Sequence, residues 1–370
     1  LAKRDLADAA AAAGDPPVAR PRADLAGIQY LRGVAATLVV VYHVFLQMGA
    51  ATAGASLETF RSGVDIFFVI SGFIMVYSTG CGAGTTPLQF LRRRIVRIVP
   101  LYWAMTLFMI AVLVFAPQFV KTSKLAWDHA LASLAFVARL NPATSASYIP
   151  LVTPGWTLNL EMMFYAVFTL ALLVAGSGAR LILAASLPIV LLAAIGLAAD
   201  PPGFAGFYTD PIILEFVFGM VVGLLFMRGR IRLSLAPATM LGVLALALLL
   251  IPPESALVPR PIRFGLPALA VVVAALAPGW PKVPALHRLG DASYSLYLTH
   301  FFVLSALVQL WRRLHLFAMP GGALLLFPVG LVACIAVGVL SWRYVETPLT
   351  ALAKRWLDQP GAKPVTLRVV

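Results

Sequence analysis

Arg32 and His43 stand eleven residues apart in an otherwise apolar stretch, Ile28 to Met48. At about 100° per residue, that spacing returns a helix to within about 20° of its starting direction, roughly 16 Å further along. Both side chains therefore share one face. A charged side chain within lipid costs about 3 kcal/mol or more, so such groups normally face a cavity or a partner and do work there. An arginine near one end of a slot and an imidazole three turns deeper suit a charged, elongated substrate. The imidazole is the natural general base, and the arginine an anion holder.

The remaining intramembrane polar residues sort by depth into two expected layers. The outer layer holds His43, Asp65 and Glu161, each four or five residues from the outer end of its span. An imidazole with a carboxylate at its depth makes a base and its orienter. Depth leaves open whether Asp65 or Glu161 takes the second role. The inner layer holds Arg32, Arg94, Arg97, Tyr297 and His300. Arg94 and Arg97 are three apart and share a helix face, and guanidinium forks so placed suit phosphate oxygens. No metal-ligand spacing occurs, and the run around Ser71 lacks the Gly-x-Ser-x-Gly elbow of a serine hydrolase.

These residues need a bilayer-sized scaffold to hold them. The 370 residues are 61% hydrophobic and 12% charged, with a mean hydropathy of +0.92, whereas soluble domains use about 45–50% apolar residues. The fold class expected is an all-α integral membrane protein of about ten transmembrane helices in one bundle. Spans of about twenty residues are expected near Ile28 to Met48, Arg61 to Thr79, Ile98 to Ala116, Trp156 to Ala175 and Arg180 to Leu197. Five more are expected near Asp210 to Met227, Pro237 to Ile251, Ile262 to Ala277, Tyr294 to Trp311 and Gly322 to Trp342. The stretch Ala126 to Leu140 carries Asp128, His129 and Arg139 and reads as a surface helix.

The net charge of +13 is spread through short loops, which argues for positive-inside bias and against nucleic acid. It places both termini in the cytoplasm and the chain in the cell's inner membrane. Residues 1–26 read as a disordered cytoplasmic tail, 27–350 as the transmembrane domain and 351–370 as a second cytoplasmic tail. The first tail has no apolar core of a signal peptide, so the first span would direct insertion, and a Leu at position 1 hints at a trimmed or alternative start. Cys81 and Cys334 lie too far apart in this topology for a disulfide. The long outer segment Pro117 to Gly155, with Lys121, Lys124, Arg139, Asn141 and Tyr148, is either a lid or acceptor-recognition surface, or a plain connector.

Six blocks, IQYLRGVAATLVVVYH, GVDIFFVISGFIM, FLRRRIVRIVPLYW, GWTLNLEMMFY, LGDASYSLYLTHFFV and YVETPL, resemble in content and order the acyltransferase 3 family of multi-span membrane acyltransferases. They run from Ile28 to Leu349, and the GWTLNLEMMFY block is most like the subgroup associated with exopolysaccharide acetylation. Phe302 stands where the family's block usually has a proline. The resemblance implies transfer of an acyl group, commonly acetyl from cytoplasmic acetyl-CoA, to a hydroxyl of a glycan or lipid-linked sugar. It implies membrane lipids as surroundings, polysaccharide-assembly proteins as partners and no metal. Carried onto this chain, its functional positions are Arg32, His43, Arg94, Arg97 and Glu161. A transporter of a polysaccharide precursor is the rival, weakened by the absence of an internal repeat.

Overall fold

The computed structural model describes residues 25–49, 58–120, 124–145, 147–250 and 258–357. Most of the expected first and second tails lie outside those residues, but Leu25 and Ala26 are described and buried, and Ala26 already starts a helix where a disordered tail was expected. Among the described residues there is no strand. Eight helices are long and apolar enough to cross a bilayer, and two shorter apolar helices occupy the other two expected positions. The protein is an all-α, multi-pass membrane protein.

The chain runs through α1 (Ala26–Met48), α2 (Ser62–Thr79) and α3 (Pro87–Phe115). A short surface helix α4 (Trp127–Leu134) follows, then α5 (Trp156–Ala175) and α6 (Gly178–Ala199). Next come α7 (Gly203–Thr209), α8 (Leu214–Met227), α9 (Leu235–Leu250) and α10 (Leu266–Ala275). The last four are α11 (Pro284–Asp291), α12 (Ser293–Arg313), α13 (Gly322–Ser341) and α14 (Thr347–Leu357). Because α14 continues to Leu357, part of the expected tail is helical.

Lipid gives these helices no hydrophobic reason to pair, so close backbone approach at small residues does that work. A Cβ on Gly72 of α2 would meet Phe216 O of α8 at 2.1 Å, and one on Gly219 would meet Val69 O at 2.0 Å. Gly290 of α11 lies equally close to Gln29 O of α1. Outward faces carry Leu107, Phe115, Leu173 and Leu183, each more than half exposed, as a lipid-facing surface requires. Thr86 starts α3 with a capping box, its hydroxyl accepting from Gln89 N and its own N–H donating to the Gln89 side chain. That fixes the start of the helix that carries Arg94 and Arg97.

Two π-turns interrupt the regular helices, Pro261–Gly265 before α10 and Trp342–Glu346 between α13 and α14. Such turns re-aim a side chain by adding a residue to the helical ladder, and they gather at functional positions. Here each stands beside one of the buried ion pairs described next.

Candidate active site

At one end of the bundle four helices bring guanidinium and carboxylate groups together. Arg97 pairs with Glu346, the last residue of its π-turn, and Ser295 Oγ donates to the other oxygen of Glu346 at 2.7 Å. Glu346 is 2% exposed and Arg97 30% exposed, so the pair has one open side. Arg94 Nη2 donates to Ser78 Oγ at 2.6 Å, and its guanidinium lies over the Phe90 ring. Arg32 Nη1 donates to Gln29 Oε1 at 3.1 Å, and Gln29 Nε2 donates to Asp291 Oδ1 at 2.6 Å. The Arg32 guanidinium feels the charges of Arg97, Glu346, Asp291 and Glu161, and that of Arg94 those of Glu161 and Arg97. The three arginines therefore form one cluster, and each keeps part of its surface open.

Glu161 lies beyond that cluster toward the bundle interior. Its Oε1 accepts from Ser71 Oγ at 2.9 Å and from Tyr165 OH, which ties α2 to α5. It does not contact His43. The other carboxylate of the expected outer layer, Asp65, is fully buried and engaged at both oxygens by Arg260, at 2.9 and 2.8 Å. Six helical residues separate Asp65 from Ser71, a rotation of about 240° and a rise of about 9 Å. The two carboxylates therefore cannot face a common group, and Asp65 closes the bundle against the π-turn that follows Arg260. The fully buried Glu215 stands beside this pair.

His43 meets a different partner. Its ring centroid is 4.8 Å from that of His300, which is fully buried on α12. His43 Nδ1 lies 2.8 Å from Val39 O, and His300 Nδ1 lies 2.7 Å from Tyr297 O. A carbonyl oxygen only accepts, so in the neutral rings each Nδ1 carries the proton and each Nε2 holds a lone pair. The imidazole of His43 is thus oriented by its own helix, through the carbonyl four residues back, where the sequence had pointed to Asp65 or Glu161. His43 remains partly open, whereas His300 Nε2 is buried without a hydrogen-bond partner.

Tyr297 OH donates to Pro154 O at 3.0 Å and shares a hydrogen bond of 2.9 Å with Thr157 Oγ1. His300 and Tyr297 therefore belong with His43 and not with the arginines, a correction to the expected inner layer. Their helix begins at the arginine end, but seven residues from Ser293 to His300 climb about 10 Å.

Sequence reading missed the partners Glu346, Asp291 and Arg260. Two of them had a signal. Glu346 and Asp291 sit within quoted blocks, as lone acids among apolar residues at the end where the arginines gather. Arg260 had a weaker one, a basic residue on the outer side against the positive-inside trend.

Residues 25–343 match the acyltransferase domain that defines the acyltransferase 3 family. The chain belongs to that family. An exopolysaccharide production protein of Rhizobium meliloti, ExoZ, is 35% identical over 304 residues, covering 78% of this chain and 89% of that protein. The acyltransferase MdmB of Streptomyces mycarofaciens is 28% identical over 312 residues, covering 74% of this chain and 77% of that protein. No solved structure matches. This member of the acyltransferase 3 family is accordingly a membrane acyltransferase. Among the described residues no group of His, Cys, Asp and Glu side chains is placed to hold a metal ion.

Proposed function

We propose that the protein moves an acetyl group from cytoplasmic acetyl-CoA to a hydroxyl of a glycan or lipid-linked sugar. The observation that carries this reading is the His43 imidazole: partly open, with Nδ1 on Val39 O, it presents a basic Nε2 about 16 Å along the same helix face from Arg32. Arg32, Arg94 and Arg97 hold the phosphates of CoA, and the extended pantetheine arm spans the distance to His43. His43 Nε2 takes the acceptor's hydroxyl proton as that oxygen attacks the thioester carbon. The carbon–sulfur bond breaks, and the imidazolium returns the proton to the CoA sulfur. His300, packed beside it with the two ring planes tilted at 55°, limits the rotation of the His43 ring. Glu161 lies along the route between the two ends.

Because the donor is cytoplasmic, the arginine end faces the cytoplasm. That agrees with the positive-inside trend and puts the Pro117–Gly155 segment outside. The membrane is the cell's inner one.

Release of free CoA from acetyl-CoA by the purified protein in nanodiscs tests the donor, and Arg94→Ala is the variant to compare. Arg97→Ala would strand the buried Glu346, whereas Arg94→Ala leaves only the Ser78 hydroxyl behind. A charge-assisted phosphate contact contributes about 1.5–3 kcal/mol, so the donor concentration for half-maximal rate should rise about 10- to 100-fold. An unchanged requirement for acetyl-CoA in Arg94→Ala would remove the arginine cluster from donor binding.

A further inference from the structure

The described residues of the Pro117–Gly155 segment are pinned down rather than draped. His129 Nε2 donates to Ile149 O at 3.0 Å, Leu151 N donates to Ser133 Oγ at 3.0 Å, and Trp103 Nε1 donates to Leu134 O at 2.8 Å. Ala138 N donates to Tyr208 OH at 3.1 Å, which fixes α7 against the same segment. Between segment and helix lies a pocket of about 520 Å³ whose wall includes Asp128, Arg139, Tyr148 and Phe204. Tyr148 lies against the backbone of Gly203, where φ is +71° and an added Cβ would come within 3.0 Å of the tyrosine oxygen. The positive φ therefore favours glycine at this position.

The chemistry of this wall is selective. Arg139 and Asp128 form an ion pair and balance each other's charge. The His129 backbone N–H and the Arg139 guanidinium hold the Asp128 carboxyl below its ordinary range, so the pair stays ionised. A phosphate or carboxylate ligand would find no net positive charge there. Vicinal hydroxyls would find a donor fork and an acceptor side by side, with two aromatic side chains to cover the C–H face of a ring. Both ionic side chains are more than half exposed. An ion pair this exposed is screened by water and adds little stability, so hydroxyls can enter it at small cost.

The location fits as well. From Arg97 to the end of α3 at Phe115 is eighteen residues, about 27 Å, which puts the pocket on the face opposite the arginine cluster. Six residues after Tyr148 the chain reaches Pro154, whose carbonyl accepts from Tyr297 OH. The Tyr297 ring lies 6.1 Å from that of His300, and His300 lies 4.8 Å from His43. The chain from Tyr148 to Pro154, the hydrogen bond from Tyr297 and the two ring contacts connect the pocket wall to the His43 imidazole.

We propose that the Asp128–Arg139–Tyr148–Phe204 pocket binds a neutral sugar unit of the acceptor, on the face opposite the donor. This rests on the acyl-transfer reading for its purpose, but its binding test does not. Binding of a panel of neutral gluco-, galacto- and manno-oligosaccharides to the full chain in nanodiscs is measured by calorimetry, with desulfo-CoA binding measured beside it. At least one oligosaccharide binds the wild type, and Arg139→Gln and Phe204→Ala each weaken it tenfold or more while desulfo-CoA affinity stays the same. The two variants disturb different parts of the wall, and both side chains are solvent-exposed, so a folding defect would show as joint loss of both ligands. No binding by any member of the panel, equal binding by wild type and both variants, or that joint loss would overturn the pocket. Sugar binding without acyl transfer would keep the pocket and reject the transfer reading; transfer indifferent to both variants would do the reverse.

Discussion

Two polar clusters sit inside this bundle, and they are built on opposite plans. In the first, Arg260 grips both oxygens of the fully buried Asp65. In the second, His43 and His300 lie ring against ring, each proton fixed on a backbone carbonyl and each Nε2 left without a partner among the described residues. The first has spent its polarity on holding helices together. The second has kept a lone pair in reserve on an imidazole that is partly open. In a membrane, where each polar group is costly, a lone pair left unused on a partly open imidazole points to chemistry.

That contrast can be broken from either side. The largest expected effect on stability is at the closed cluster. Removing one partner of a buried ion pair costs about 3–5 kcal/mol, so Arg260→Ala should sharply destabilise the bundle. The readout is the temperature at which the buried Cys334 thiol becomes reactive to a maleimide in a Cys81→Ser background. Replacing both partners, Asp65→Leu with Arg260→Met, should recover most of the loss, because it leaves no buried charge behind. If Arg260→Ala melts like the wild type, the cluster is not a latch.

The next effect sharpens the other side. His300→Asn should lower kcat by less than the 10²- to 10⁴-fold of a lost general base, and should leave the KM for acetyl-CoA unchanged. A raised KM with normal kcat would return His300 to the donor site. Smallest is Ser71→Ala, which removes one hydrogen bond to Glu161 while Tyr165 still holds it. A single such bond to a charged group is worth about 1.5 kcal/mol, so melting should shift far less than in Arg260→Ala and turnover should fall about tenfold at most.

The sequence made the scaffold legible and the pairings obscure, for a physical reason. Each membrane helix must satisfy its own backbone and present apolar side chains to lipid, so every span is written locally, as about twenty apolar residues. All ten expected segments are helices. The Arg32 and His43 slot was equally local, because both residues ride on one helix. Pairings such as Asp65 with Arg260, or Arg97 with Glu346, join residues 195 and 249 positions apart, and no periodicity encodes them. Depth along a helix placed Asp65 near His43, but rotation about the helix decided its partner. The histidine pair shows the same limit: His300 could be read as a polar residue in a span, yet only the packing of α12 against α1 brings it to His43.

The most direct measurement is acetyl-CoA-dependent CoA release by His43→Ala compared with wild type, on protein whose Cys334 accessibility profile is unchanged. Loss of turnover by about 10²- to 10⁴-fold in a normally melting protein is the expected result. Normal turnover would contradict the assignment of His43 as the base and leave its partly open imidazole without a purpose.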